Sequence, residues 1–537
     1  MARFASAASE SSPLAELDLA ADGEGSPALP RAAPIAGIGR TLGFGISAHF
    51  LVALVNVLAT PLLLKLMGEE AYGLVTFFIV LQAWSLIFDF GVSPTLARQL
   101  SRFRAGAMTG ADASGLLAAA EIIFIAGGLT GGAALALLSP WLSVHWLHSA
   151  TLGAAQVTEC LQLIAVVLVF RWLNGLYQSA LVGLERQNTV NLIAASTVVI
   201  RYGVALAVLF RLSRSPIAFF AVQAIFTALE AGVSRWLLAR ALPRPTTGVR
   251  PAWGRLTLQF RFALGLTLAS AATTLISQAD RLALSHALPL ADYGLFGLVM
   301  QVAAGITLVV PPFVQAFQPR LTGLMAQDRR KDFVHVYRLA LALILALAVG
   351  VAGTIAAHPD WVIWAWTGRM GAARYLSPIL TLYAAGGAIS AFLYVPFLLQ
   401  YAQGRVRLHV IGNIAIALVW VPAAIWAAFA FGPVGTGAVW LIGNALYLIV
   451  WVPVIHRSLL SPEERRGLDL SIWVRGAVLA SLLAATRLIP YGQVSRPQAF
   501  AGLAVICIAT ILIGAALSSE ARAFAAHTYA RVRGRES

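Results

Sequence analysis

The sequence predicts an all-α membrane protein with about fourteen transmembrane helices, and three observations support this fold class. Of the 537 residues, 59% are hydrophobic and 11% are charged, whereas soluble domains carry about 25% charged residues. Apolar runs of about 20 residues recur along the chain, the length that a helix needs to cross a ~30 Å hydrocarbon core. These runs are continuously apolar rather than alternating, which favours helices over a β-barrel.

The distribution of basic residues predicts the topology. Loops predicted on one side carry many arginines, among them Arg98, Arg186, Arg320, Arg405 and Arg457, and loops predicted on the other side carry few. Because basic loops stay in the cytoplasm, an even number of spans with both termini inside fits this alternation. We predict spans at 41–66, 71–97, 113–138, 157–182, 188–211, 216–240, 258–285, 292–318, 334–357, 375–401, 407–430, 434–456, 470–489 and 497–518.

Two short phrases of the sequence recur at one offset of about 221 residues. Ala71-Tyr-Gly-Leu74 returns as Asp292-Tyr-Gly-Leu295, and Gly183-Leu-Glu-Arg186 returns more loosely as Gly404-Arg-Val-Arg407. The offset covers about six helices, an even number, so both copies have the same orientation in the membrane. We therefore predict two parallel-repeat six-helix lobes plus two C-terminal helices, an organisation typical of transporters.

The longest polar connection within the membrane domain, near 241–256, contains three prolines and divides six helices from eight, as a linker between lobes should. The predicted domains are a disordered cytoplasmic tail at 1–40, an N-terminal lobe at 41–240, a cytoplasmic linker at 241–257, a C-terminal lobe at 258–458, two additional transmembrane helices at 459–518 and a basic cytoplasmic tail at 519–537.

Charge and cysteine content narrow the function classes. The net charge is +15, and because the arginines lie in short loops between spans, the charge indicates topology rather than nucleic-acid binding. Cys160 and Cys507 both fall in predicted spans, so we predict no disulfide framework, metal site or cofactor. The tails are too short to fold as catalytic modules, and we expect no enzymatic activity and no catalytic residue.

Several short motifs resemble one family of membrane proteins. The segments 61–74 and 88–98 resemble the beginning, and 277–281, 288–295 and 317–320 the middle, of polysaccharide transporters. These are the O-antigen flippase-like members of the multidrug/oligosaccharidyl-lipid/polysaccharide (MOP) exporter superfamily, and the similarity covers about residues 41–460.

The resemblance implies a two-lobed flippase that works by alternating access. Such proteins move undecaprenyl-diphosphate-linked oligosaccharides across the bacterial inner membrane for polysaccharide or lipopolysaccharide biosynthesis. The implied partners are that lipid-linked substrate, membrane lipid, H+ or Na+ as the coupling ion, and polysaccharide polymerases or glycosyltransferases. The expected location is the bacterial inner membrane.

Charged residues at bilayer depth are the candidate site residues, because each costs about 2.5–3.5 kcal/mol on insertion scales. Arg171, Asn174 and Tyr177 share one face of a predicted helix through three-residue steps;. This face is suited to bind a phosphate or a sugar. The alternative is an interhelical ion pair of Arg171 with Glu121 or Glu230.

Three further residues are candidates for substrate binding or ion coupling. Arg201 is a second candidate phosphate ligand, or alternatively an arginine that reaches the interface or a lobe contact. Asp280 and Arg281 are adjacent, so they do not face each other on a helix, and each needs another partner. Arg281 is then a candidate phosphate ligand and Asp280 a candidate for ion coupling, although a purely structural pairing stays open.

Asp89 is the other candidate for ion coupling, because burial can raise the pKa of a carboxyl group into the range where it exchanges protons. The sequence favours a structural role instead, in which Asp89 caps the backbone near Gly91 or pairs with Arg98.

Four functions compete at this stage. A flippase for lipid-linked glycan needs cations for the diphosphate, since arginine forks match phosphate oxygens. A multidrug or cation antiporter of the same superfamily would need carboxylates and aromatic rings instead. A membrane enzyme would need an outer domain or a His/Asp constellation, and a scaffold has no need of buried arginines.

Overall fold

The computed structural model describes residues 35–243, 250–254, 274–405, 407–488 and 494–533. By their contacts, residues 1–43 and residues 44–537 are two units, and the described part of the first, residues 35–43, is the beginning of the first helix. Throughout the described ranges the regular structure is helical, with one isolated β-bridge between His148 and Pro289. This confirms the all-α fold class.

Up to residue 287, the described residues form seven helices and part of an eighth. They are α1 Ile35–Met67, α2 Glu69–Ser85, α3 Val92–Arg104, α4 Gly110–His145, α5 Ala154–Gly183, α6 Gln187–Arg211, α7 Pro216–Ala241 and α8, whose described part is 274–287. The other residues of the predicted linker and of the seventh predicted span lie outside the described ranges.

The second half adds thirteen helices, several of which continue one another. They are α9 Leu290–Val309, α10 Pro311–Ala326, α11 Arg330–Ala348, α12 Thr354–Ala357, α13 Pro359–Thr367, α14 Met370–Phe392, α15 Tyr394–Ala402, α16 Arg407–Leu446, α17 Val452–Leu459, α18 Pro462–Arg465, α19 Leu468–Thr486, α20 Arg496–Ala516 and α21 Ser519–Arg533.

Twelve stretches of the described residues are long and apolar enough to cross a membrane. The longest of them, Arg407–Leu459, has 53 residues, about 80 Å of helix at 1.5 Å per residue. It bends at Gly432, whose φ of 60° and ψ of −148° are not helical, and it therefore accounts for two crossings. The described residues thus contain thirteen of the fourteen predicted spans, and most of the remaining one, 258–285, lies outside the described ranges.

Glycine and helix caps set the boundaries between spans. Gly68, at a φ of 90°, separates α1 from α2 in a conformation that side chains rarely adopt. Thr109 caps α4 by accepting a hydrogen bond from the Asp112 N–H at 3.2 Å;. Phe90 and Gly91, both at positive φ, break the second span between α2 and α3, which the sequence predicted as one helix.

The repeated phrase lies where the two lobes touch, on α2 and α9. A Cβ atom at Gly73 would lie 2.3 Å from the Leu290 carbonyl oxygen, and one at Gly294 would lie 2.2 Å from the Glu69 carbonyl oxygen. Since Gly294 repeats Gly73 and Leu290 occupies the position of Glu69, the contact is reciprocal, as at a twofold axis. Glycine at both positions allows the backbones of the two lobes to touch.

Apolar packing joins the lobes at one end of the bundle, the end at which α2 and α9 begin. We call it the closed end. One buried cluster there combines Tyr72 and Phe77 of the N-terminal lobe with Tyr293, Phe296 and Tyr383 of the C-terminal lobe. This packing closes the space between the lobes at this end;.

Polar contacts between the lobes lie at the closed end as well. Arg369 Nη1 is 2.6 Å from Glu69 Oε1, Trp366 Nε1 donates to the Val57 carbonyl oxygen at 2.8 Å, and Trp146 Nε1 donates to Ser285 Oγ at 2.9 Å.

At the opposite end, which we call the split end, each lobe has its own core. α3 packs on α4 and α5 within the N-terminal lobe, and α10 packs on α11 and α15 within the C-terminal lobe. The buried clusters follow the same division, one drawn from residues 92–242 and the other from residues 310–472. The lobes therefore share a core at the closed end and have separate cores at the split end.

Candidate functional site

Two arginines lie inside the N-terminal lobe without a bonded partner. Arg171 is near the middle of α5, and Arg201, which is 4% exposed, is near the middle of α6. Among the described residues, no hydrogen bond or ion pair reaches either guanidinium group, and both Nε atoms are buried. Such burial without compensation is costly.

Glu230 on α7 provides a negative charge close to Arg171. Its Oε1 accepts hydrogen bonds from Asn174 Nδ2 at 2.9 Å and from Gln178 Nε2 at 3.2 Å, while its Oε2 is buried without a partner. Arg201 and Glu230 both lie close enough to Arg171 to interact electrostatically. The charged neighbours of Arg171 are therefore one carboxylate and a second guanidinium group, and the cluster of two arginines and one glutamate has an excess positive charge.

Glu121, the other carboxylate predicted as a partner of Arg171, is paired with a different arginine. Glu121 forms an ion pair with Arg235 across α4 and α7, and Tyr177 interacts with both members of this pair. Tyr177 thus lies beside a neutralised pair, one helical turn beyond Asn174. Of the residues predicted on one face of α5, Arg171 is the one that lacks a partner.

A chain of polar side chains leads from Arg201 towards the lobe interface. The neighbouring residue, Tyr202, donates to Asn56 Oδ1 on α1 at 2.9 Å. One turn further along α1, the Thr60 hydroxyl donates to Gln301 Oε1 on α9 at 2.7 Å, which also accepts from the Tyr72 hydroxyl at 3.1 Å. The cationic cluster is in this way connected to the contact between lobes.

The C-terminal lobe contains a buried carboxylate with a different environment. Asp280 Oδ1 accepts from the Arg281 backbone N–H at 2.8 Å, and its Oδ2 accepts from the Tyr383 hydroxyl at 2.6 Å. The Tyr383 oxygen is also 3.0 Å from Thr436 Oγ1. The Arg281 side chain is close enough to interact electrostatically with Asp280; its Nη1 is 3.4 Å from Gln278 Oε1, and its buried Nε has no partner.

Asp89 caps the start of α3. Its Oδ1 accepts from the Ser93 backbone N–H at 3.2 Å and from the Ser93 hydroxyl at 2.6 Å. This geometry supports the structural alternative that the sequence favoured for Asp89.

Two cavities contain residues that the sequence did not single out. One, of about 460 Å³ in the C-terminal lobe, has a mixed lining of aromatic rings and polar groups, including Tyr394, His409, Asn413, Trp420 and Trp440. The dense tryptophans and asparagines between 409 and 447 were the available sequence signal.

The other cavity, of about 500 Å³ in the N-terminal lobe, is almost entirely apolar. It lies between α2, α4 and α5, and Trp84, Leu135, Val169 and Trp172 contribute to its lining. Its chemistry suits a hydrocarbon chain. Across the described residues, no group of three His, Cys, Asp or Glu side chains is arranged to hold a metal ion.

The fold of the chain is similar to that of several solved membrane proteins. The lipid II flippase MurJ in an inward closed conformation is similar with a TM-score of 0.62 at 15% identity, over 89% of this chain and 98% of that chain. An inward-facing multidrug resistance MATE family transporter of the MOP superfamily gives 0.55 at 15% identity, over 76% and 95%. A MOP superfamily transporter from Pyrococcus furiosus gives 0.52 at 16% identity, over 80% and 96%.

In sequence, no curated protein matches the chain. The family model described as polysaccharide biosynthesis protein matches residues 38–325, more than half of the chain. This multi-pass membrane protein, with the fold of MOP superfamily transporters, therefore belongs to the polysaccharide biosynthesis protein family.

Proposed function

We propose that this protein is a flippase that moves a lipid-linked oligosaccharide, with an undecaprenyl-diphosphate carrier, across the bacterial inner membrane by alternating access. The observation that carries the proposal is the excess positive charge of Arg171 and Arg201 inside the N-terminal lobe. An unpaired cation at this depth costs several kcal/mol, and an anionic ligand offsets that cost.

The diphosphate of a carrier lipid fits this cluster chemically. It brings two or more negative charges and several acceptor oxygens, and each guanidinium fork donates to two such oxygens at once. Glu230 prevents permanent, tight binding because its carboxylate already balances part of the charge. A transported ligand must leave as well as enter, so partial compensation suits a transporter better than a fully cationic pocket.

The linings of the two cavities match the remaining parts of the proposed substrate, its sugars and its polyprenyl chain. Sugar rings present apolar faces and hydroxyl groups, which match aromatic rings and amides such as those of Trp420, Trp440 and Asn413;. The apolar cavity beside Trp84 and Trp172 accommodates part of a polyprenyl chain.

The orientation and gating follow from the charges and the contacts. Arginines gather at the split end, including Arg104, Arg186, Arg320 and Arg330, so we place this end and both termini in the cytoplasm. The substrate then enters between the lobes from the cytoplasm, and the contact around Gly73 opens to release it outside.

Asp280 is the proposed coupling group, for H+ or Na+. It is buried, and its Oδ2 accepts a hydrogen bond from Tyr383, which is itself beside Thr436. Uptake of a cation there would loosen the bond to Tyr383 on α14 and so transmit the change to the C-terminal lobe. No catalytic group is proposed, and the protein is a transporter rather than an enzyme.

The test is a flipping assay with the purified chain in phosphatidylcholine liposomes that contain a fluorescent undecaprenyl-diphosphate oligosaccharide. We expect the wild type to expose the label to a membrane-impermeant quencher, and R171Q/R201Q to lower the rate by about tenfold or more, because each charge-assisted contact contributes about 1.5–3 kcal/mol. Arg211→Gln, an exposed arginine on the same helix as Arg201, is the matched control and should keep the wild-type rate.

Two outcomes would contradict the proposal. One is an undiminished flipping rate in a stable R171Q/R201Q variant. The other is efflux of a dye cation, driven by H+ or Na+, from liposomes in which the glycan lipid does not move, which would favour the multidrug antiporter.

A further inference from the structure

A cationic cavity lies at the split end, away from the contact between lobes. It has a volume of about 250 Å³ and is formed where α11, the beginning of α19 and α21 meet. Its lining includes three arginines, Arg338, Arg466 and Arg475, and one acid, Glu520. The substrate path proposed above uses none of these residues.

The two acids described near this cavity, Glu464 and Glu520, balance only part of its positive charge. Glu464 receives two hydrogen bonds from Arg330, at 2.6 Å and 2.9 Å, and so is committed to that arginine. Glu520 Oε2 accepts from the Ser518 and Ser519 hydroxyls at 2.8 Å and 3.0 Å. It also forms an ion pair with Arg475, whose Nη2 is 3.8 Å away, a distance too long for a hydrogen bond.

Glu520 is nevertheless charged. Burial raises the pKa of its carboxyl group, but hydrogen bonds from its own backbone N–H and from Ser518 and Ser519 outweigh burial and leave the pKa below its ordinary value. The cavity therefore contains three positive charges against one negative charge among the lining groups named above.

The local geometry suits an anion with several acceptor oxygens. Arg338 donates from Nη2 to the Glu464 carbonyl oxygen at 2.9 Å, while its buried Nε has no partner. Gly467 and Leu468, at the first turn of the 19-residue helix α19, also line the cavity, and no side chain caps this helix. The free backbone N–H groups of a helix start attract phosphate.

We propose that this cavity binds the phosphate group of an anionic phospholipid headgroup in the leaflet at the split end. α19 begins a membrane span here, so the cavity is at the depth of lipid headgroups. α21, which contributes Glu520 to the lining, also exposes the side chain of Phe524 about one turn further along. A lipid phosphate would contact Arg466 and Arg475, and its acyl chains would lie along the apolar surface of α19.

The test counts phosphatidylglycerol molecules that stay bound to the full-length chain in native mass spectrometry, after reconstitution in phosphatidylcholine vesicles with or without phosphatidylglycerol. We expect about a fivefold weaker retention for each arginine removed, since one basic group near an anionic surface contributes about this factor. R466Q/R475Q should therefore bind about 25-fold more weakly than the wild type. Arg457→Gln removes one exposed arginine at the same end and is the matched control for the single variant Arg466→Gln.

Melting temperatures of the variants in detergent verify folding, and Arg466→Gln alone, at an exposed position, avoids removal of a packed side chain. Equal retention of phosphatidylglycerol by the wild type and R466Q/R475Q overturns the site. If Arg457→Gln weakens the retention of phosphatidylglycerol as much as Arg466→Gln does, the binding site is not at this cavity. If inorganic phosphate in solution protects the wild type from thermal unfolding as well as phosphatidylglycerol does, the ligand is soluble phosphate and the lipid assignment is wrong.

Discussion

The interiors of the two lobes differ although their folds repeat. In the N-terminal lobe, Arg171 lies near both Arg201 and the carboxylate of Glu230, and several polar atoms of the two arginines are buried without partners. In the C-terminal lobe, both oxygens of Asp280 are hydrogen-bonded, one of them to Tyr383. The N-terminal lobe thus has an excess of buried positive charge, whereas the buried carboxylate of the C-terminal lobe has hydrogen bonds to both oxygens and Arg281 as a neighbouring opposite charge.

The repeat preserves the contact between lobes but not these charges. At the repeat offset, Gly294 matches Gly73. The positions that correspond to Arg171 and Arg201 are occupied by Phe392 and Pro422, which carry no charge. Duplication therefore explains the shared packing, and the charged interior is a feature of one lobe. We infer that the N-terminal lobe binds the anionic part of the ligand and the C-terminal lobe responds to a cation.

The largest effect on stability should come from Glu230→Gln. Glutamine keeps the acceptor for Asn174 but leaves the two arginines without a carboxylate, so we expect a loss of about 3–5 kcal/mol and a lower melting temperature in detergent. Undecaprenyl diphosphate should then stabilise this variant more than it stabilises the wild type. Glu159→Gln, exposed on α5, is the control, and an equal loss there would speak against a special role of Glu230.

A side chain at the contact between lobes should have the next largest effect. In Gly294→Ala, the new Cβ would lie 2.2 Å from the Glu69 carbonyl oxygen, and because backbone has to move, we expect a loss of about 3 kcal/mol. Gly305→Ala lies on the same helix with open space around it and should be tolerated. A wild-type melting temperature for Gly294→Ala would show that the lobes are not in contact there.

Tyr383→Phe should have a smaller effect, in the lobe whose carboxylate is complete. It removes the hydroxyl that donates to Asp280 Oδ2, and an unsatisfied buried acceptor costs about 2 kcal/mol. Asp280→Asn in the same background should recover part of the loss, because an amide is less costly to bury than a carboxylate. If the two variants add independently in a double-mutant cycle, Asp280 and Tyr383 are not coupled.

The smallest effect belongs to an exposed ion pair. Arg104 and Glu185 are 2.9 Å apart with side chains 52% and 66% exposed, and such pairs contribute little in water. Glu185→Gln should change the melting temperature within error, which corresponds to about 0.5 kcal/mol or less. A larger shift would mean that the split end is more tightly packed than its separate cores indicate.

The sequence predicted features that depend on local pattern. Apolar run length predicted the spans, and the recurrence of 71–74 at 292–295 pointed to the segment that forms the contact between lobes. Each of these signals is contained in a short segment of consecutive residues.

Contacts between distant residues could not be predicted in this way. The sequence pattern does not distinguish Glu230 from Glu121. In the structure, Glu230 accepts a hydrogen bond from Asn174, whereas Glu121 pairs with Arg235. The rotation of each helix about its axis decides which carboxylate faces which helix. Likewise, Tyr383 lies 103 residues from Asp280.

Helices at the membrane surface were the other features missed. α13 and α21 are too short or too polar to appear as apolar runs, and α21 occupies most of what the sequence predicted as a basic tail. Their helicity depends on packing against α14 and α11, which supplies most of the stability of short helices.

The most direct test of the account compares the affinities of the purified protein for undecaprenyl diphosphate and for undecaprenol, which share the hydrocarbon chain and differ in the phosphates. We expect the wild type to bind the diphosphate at least about tenfold more tightly, and R171Q/R201Q to bind both lipids equally. If the preference for the diphosphate persists undiminished in that variant, the buried arginines do not bind the carrier headgroup, and the central claim is wrong.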